Sequence, residues 1–314
     1  MNEGFLGVVR LISVALQNVS FAVLIGAMLS DMWLSRRASR WQSGVSRRLL
    51  TTMRISALVV LLSSFSAFWA HCALMSESSL FEAGPAVVSM LKETGFGHAW
   101  LVNCVLLLVV LVLLLANVHK RGPYAVVIAF ATAGAALARS NTGHPVDAGT
   151  FSPPVWADWV HVLAISVWVG LVLVAASIVV PRIGKAPEDD APNSAAFVQS
   201  LSNAATVALA MLAITGTYNG WRGVNSPVNL WTSTYGQVLV LKLALVLIAA
   251  ALGGHNRIVE MPKVLMSLKG SHAMQSRVAL KRFARVLQVE SVVLAGVLIV
   301  AAVLVSSPLP GTSS

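Results

Sequence analysis

The residues best equipped for chemistry in this chain are its seven histidines, which long apolar runs sort by position. His71 closes one apolar segment, His98 opens the next, and His144 lies in the short polar stretch after a third. His161 sits about 6 residues inside the following segment, roughly 9 Å deep at a helical rise of 1.5 Å per residue. His119, His255 and His272 fall at the other ends of such segments. Asp158, His161, Ile165 and Trp168 recur at spacings of three, four and three, so they share one helical face. An ionisable residue inside an apolar span is costly unless it pairs or lines a wet cavity, and is functional by default.

The chemistry such a set suits is metal binding. Asp158 can orient the His161 ring and decide which nitrogen is free, or be a ligand itself. The alternative is a buried Asp–His hydrogen bond that only joins two helices. Imidazole with carboxylate suits Cu(II), whereas thioether and thiolate favour Cu(I). Cys72 and Met75, beside His71, are therefore optional sulfur ligands, although both residue types are ordinary in apolar cores. The expected metal set has His144 and His161 at its centre with Asp158, and His98 and His71 from neighbouring segments. Pro145, Pro153 and Pro154 restrict the loop that carries His144. Few positive charges are expected on this surface to repel a cation.

Two further charges lie within apolar segments: Lys242, near the same end as His161, and Glu290, nearer the opposite end. They are candidates for a proton or ion relay, or for a pair across adjacent helices. Gly253-Gly254 reads as helix-end punctuation. No Walker, HExxH or GxSxG motif occurs, which argues against ATP-driven transport and common hydrolase chemistry, and no enzyme activity is expected.

Only helix association can bring such scattered histidines together, and the composition says where those helices lie. Of the 314 residues, 57% are hydrophobic and 11% charged, whereas soluble domains carry about 25% charged residues. That is the composition of an all-α polytopic membrane protein. Apolar segments near 5–33, 50–75, 97–118, 123–139, 155–180, 197–219, 236–254 and 284–305 predict about eight transmembrane helices in a single domain. The first lacks the basic flank and short apolar core of a signal peptide and reads as a retained helix. The fourth is rich in small residues, as close packing requires. Cys72 and Cys104 define no disulfide framework or CxxC motif.

Orientation follows from the basic residues. Arg36, Arg37, Arg40, Arg47 and Arg48 precede the second segment, and Lys120 and Arg121 the fourth. Arg257, Lys263, Lys269, Arg277, Lys281, Arg282 and Arg285 lie around the start of the eighth. Stretch 76–96 is mainly acidic, 140–154 holds Asp147, and 220–235 holds Arg222. The positive-inside rule therefore places both termini outside, with His119, His255 and His272 cytoplasmic. The formal charge of +10 belongs to these loops, so no nucleic-acid partner is expected. The basic 263–285 stretch is suited to anionic membrane lipid.

The stretch from Ser140 to His144 (SNTGH), followed by Asp158, His161 and Trp168-Val-Gly170, resembles the central motif of the CopD family of bacterial copper resistance membrane proteins. The second half continues the resemblance with Thr215-Gly216, Tyr235-Gly236, Lys242, Asn256 and Glu290. It covers roughly residues 95–305, and Gln237 departs from it, standing where a basic residue is expected. The resemblance implies a multi-pass protein of the bacterial inner membrane, its outside termini therefore periplasmic, that moves copper ion from periplasm to cytoplasm. It also implies a separate periplasmic copper-binding partner of the CopC type. Two rival functions share parts of the pattern: a haem-binding electron-transfer protein, whose helices would supply an axial histidine pair, and a copper sensor or assembly factor that transports nothing.

Overall fold

A computed structural model describes the backbone of residues 2–34, 39–269 and 273–307, and their side chains except those of residues 2–3, 144, 269 and 273–277. Arg36, Arg37 and His272 lie outside the described residues, as does the Arg277 side chain. The chain runs through α1 (Asn2–Leu34), α2 (Arg40–Met75), the short α3 (Gly84–Glu93), α4 (Gly95–Leu115) and α5 (Gly122–Ser140). A 3-10 turn, His144–Ala148, leads to α6 (Pro153–Val174), which continues through a π-turn, Ala175–Val179, into α7 (Val180–Ile183). Then come α8 (Ala191–Val224), the single turn α9 (Asn229–Thr232) and α10 (Thr234–His255). A second π-turn, Asn256–Glu260, joins α10 to α11 (Met261–Lys269), and α12 (Ala273–Ser306) ends the fold.

Eight of these helical stretches are long and apolar enough to cross a membrane, and the fold is all-α among the described residues. An even number of crossings leaves both ends of the chain at one end of the bundle, here the terminal end. The polar stretches after α2 and α5 share that end.

The helices outrun their apolar cores. The segment 50–75 belongs to a helix starting at Arg40, where Ser39 accepts a bond from the Gln42 N–H at 3.0 Å and caps the first turn. The Trp41 indole then donates to the Arg182 carbonyl at 3.0 Å, tying this polar extension to α7. Of the stretches read as loops in the sequence, 76–96 contains α3, and the described residues of 255–283 are helical. Gly253 and Gly254 accordingly do not end a helix. A Cβ on Gly253 would lie 2.9 Å from Glu290 Oε1, so this glycine makes room for a carboxylate.

The centre of the bundle is α6, whose apolar stretch is 61% buried, against 11% for α10. It crosses α1 at near-contact of backbones: a Cβ on Gly26 would lie 2.1 Å from the Gly170 carbonyl carbon. Small residues permit that approach, and the dispersion contacts it brings drive helix association in lipid. The same logic applies to α5, where Ala131, Ala135 and Ala136 are buried and Gly134 faces Leu106 of α4.

Candidate metal centre

The polar face of α6 starts within two turns of the terminal end. Pro153 and Pro154 open the helix, where their missing N–H groups cost nothing. Asp158 follows on the side facing α8, where the Asn219 amide donates to its Oδ1 at a long 3.5 Å. Arg139 at the end of α5 and Lys242 of α10 both lie within electrostatic range of this carboxylate. Arg139 also donates to the Asn18 side chain on α1. Tyr235 stands near Asp158 and fits against α8 only because residue 223 is glycine: a Cβ there would lie 2.3 Å from the phenol oxygen. Asp158 is thus the centre of a charge network drawn from four helices.

One turn further in, His161 Nδ1 lies 3.1 Å from Thr215 Oγ1. The Thr215 hydroxyl has one proton, and it donates that proton to the Met211 carbonyl at 2.7 Å. Nδ1 must therefore donate to Thr215, which leaves Nε2 with the free lone pair. Gly216 lets the ring lie close, since a Cβ there would be 3.3 Å from Cε1. The group that orients His161 is thus Thr215 rather than Asp158, because the aspartate is drawn toward Asn219 and the two cations. Facing His161 across the α6–α8 contact is a threonine, not a second histidine.

Trp168 completes the stripe. Its indole donates to Glu290 Oε1 at 3.1 Å, with Trp168 and Glu290 each 2% exposed. No described contact pairs Lys242 with Glu290; Lys242 lies within electrostatic range of Asp158, and Glu290 packs on Gly253 and Trp168.

The other expected ligands are placed as follows. His144 opens the 3-10 turn that leads into α6, and its side chain lies outside the described residues. His71 packs its ring on Phe96, with centroids 4.8 Å apart, and its buried Nδ1 has no hydrogen-bond partner. Arg10 of α1 lies within electrostatic range of that ring. His98 is exposed at the start of α4. Cys72 is fully buried in an apolar cluster with Phe68, Trp100 and Cys104, while Met75 is 64% exposed. No described contact joins His71 or His98 to the Asp158–His161 stripe. Among the described residues no three His, Cys, Asp or Glu side chains form a group that could hold a metal ion.

Two residues that matter here escaped the sequence reading. Arg139 and Arg10 both sit within spans near the terminal end, so that end is richer in positive charge than its loops imply. The signal was available, since an arginine inside an apolar run calls for a partner. Near the opposite end, buried Asp31 gathers Ser46, His119 and Lys120, with His119 Nε2 at 3.6 Å and Lys120 Nζ at 3.7 Å.

Eight apolar helices with a polar stripe along the central α6 define a multi-pass membrane protein. Two family models match the chain: "Copper resistance protein D" over residues 195–304 and "Copper resistance protein D-like, N-terminal domain" over residues 1–151. The chain belongs to the copper resistance protein D family. The matches reach the first two helices, beyond the resemblance expected from residue 95 onward. Asp158, His161 and Trp168 lie between the two matched segments. No curated protein and no solved structure matches the chain.

Proposed function

We propose that this protein binds copper ion at the terminal end of the bundle, from the periplasm, and passes it through the inner membrane toward the cytoplasm. The observation that carries this reading is the free Nε2 of His161, held by Thr215 at the mouth of a polar stripe that runs inward along α6. His144, on the turn that leads into α6, is the second imidazole. Asp158 holds the surrounding charge network and offsets the repulsion that Arg139 and Lys242 exert on a cation. His98, exposed at the same end, is a point of first capture, and His71 a further donor on α2.

The orientation rests on the basic residues at the opposite end, among them Arg47, Arg48, Lys120, Arg121, Arg257 and Lys263. A separate periplasmic copper-binding protein of the CopC type is the partner this end would receive copper from. The task is binding and passage, with no covalent chemistry.

Metal analysis of purified protein after copper loading tests the reading. His161→Ala combined with His144→Ala should lose most bound copper, while His272→Ala should retain it. Unchanged stoichiometry and affinity in the folded double variant would refute the site.

A further inference from the structure

The inner half of the bundle holds polar groups that the copper site does not use. Glu290 is 2% exposed, accepts one hydrogen bond, from Trp168, and pairs with no cation among the described residues. Asn256 is 4% exposed, and both its Oδ1 and its Nδ2 are buried without a hydrogen-bond partner. Leaving a buried polar group unpaired costs about 1–3 kcal/mol. Two such atoms on one amide therefore point to a ligand.

The geometry relates the two residues. Gly253 abuts Glu290 Oε1, and Asn256, the C-cap of α10, follows Gly253 by three residues, on the same helical face and one turn toward the opposite end. Asn256 also opens a π-turn, a distortion frequent at functional sites, and this turn packs against α12. The ligand has to accept from the amide N–H and donate to the amide oxygen. A metal cation cannot accept a hydrogen bond; water does both. A carboxyl beside a water-holding amide is a group that takes up and releases protons.

The geometry points to Glu290 as a proton-exchange site, connected through water on the Asn256 amide to the end of the bundle opposite the termini. The titratable groups on the elements packed against α12 are otherwise engaged. On α6, His161 is about two turns away toward the terminal end and bonded to Thr215; on α10, Lys242 is about three turns away and serves Asp158. On the π-turn itself, Arg257 donates to Ser202 and Thr206 of α8, and Glu260, one turn inward of Asn256, meets His255 at 3.8 Å and Lys263 of α11 at 3.1 Å. Asp31 of α1 is held by Ser46, His119 and Lys120, Arg10 of α1 lies toward the terminal end beside His71, and Arg182 of α7 donates to the Ile178 carbonyl. On α12 itself, Lys281, Arg282 and Arg285 lie more than a turn inward. Where it concerns transport, the inference rests on the copper reading: the proton passes from the Glu290 carboxyl to the water on the Asn256 amide as the cation passes Trp168, and returns from that water when the cation has gone. Only an O–H bond breaks and re-forms, with no redox change.

Infrared spectroscopy of the protein in lipid, over a pH series and on transfer to D2O, tests this without copper. Glu290→Gln identifies the carboxyl C=O band; its amide keeps an acceptor for the Trp168 indole. The expected result is a wild-type band that responds to pH and shifts on deuteration within minutes, with exchange slowed at least tenfold in Asn256→Leu. A wild-type band that does not exchange would overturn the proposal even if the leucine variant fails to fold. Exchange unchanged in a folded Asn256→Leu protein would overturn it as well. Copper loading of the same preparations after the spectra are recorded separates the two readings: wild-type protein that then binds no copper refutes the proposed function and leaves the proton result standing.

Discussion

Thr215 accepts a hydrogen bond from His161 while its own hydroxyl is spent on the Met211 carbonyl, and this relay sets the tautomer of the imidazole. A metal-binding histidine whose far nitrogen is unsecured has two tautomers and a free ring torsion. In His161 both are settled by α8.

Thr215→Val keeps the shape and removes the acceptor. Loss of such an orienting partner typically weakens metal affinity 10–100-fold. Copper titration of the purified variant should show a weakening in that range, with binding retained. Thr215→Ser, which keeps the hydroxyl, should bind nearly as well as the unaltered protein. Equal affinity in the valine variant would mean that the ring is oriented by something else.

Asp158 and Lys242 should behave as a coupled pair. Asp158→Asn leaves Arg139 and Lys242 uncompensated beside the proposed metal site, and should weaken both thermal stability and copper affinity. Adding Lys242→Met removes one of the two repelling charges and should recover part of each loss. Groups in one charge network typically show interaction energies of about 0.5–3 kcal/mol. Strict additivity in a double-mutant cycle on unfolding in detergent would show that the two side chains do not interact.

The α1–α6 crossing has no room for a methyl group. Gly26→Ala should destabilise the protein by at least the roughly 1–3 kcal/mol usual for overpacking, because the obstructing atoms are Gly170 backbone and cannot rotate away. Gly44→Ala, with nothing within 4 Å, is the matched control and should melt normally. Thermal unfolding followed by fluorescence-detected gel filtration distinguishes them. Equal melting of the two variants would place the crossing elsewhere.

Orientation is open to direct labelling. In a background of Cys72→Ser and Cys104→Ser, Ser271→Cys should resist a membrane-impermeant thiol reagent in intact cells and Ser226→Cys should react. The reason is the cost of translocating the basic residues around position 271. The reverse pattern would invert the protein in the membrane and move the proposed copper site to the cytoplasmic side.

How much of this was legible in advance differs between the two halves of the problem. That the chain spans a membrane about eight times as helices is written in its sequence, because lipid cannot hydrogen-bond a backbone and so an apolar run of sufficient length has one conformation available. The shared face of Asp158, His161 and Trp168 is equally local, a consequence of 3.6 residues per turn. What each of them touches is not local. Thr215, Asn219, Lys242 and Glu290 reach α6 from three different helices, and their partners depend on which helices pack together and at what rotation. Gly253 shows the limit most clearly: in sequence a glycine pair reads as a helix end, yet here the helix runs on and the missing Cβ leaves space for a carboxylate from α12. Helix position follows from the solvent, which composition reports; helix pairing follows from close packing of side chains far apart in the chain, which only the assembled bundle decides.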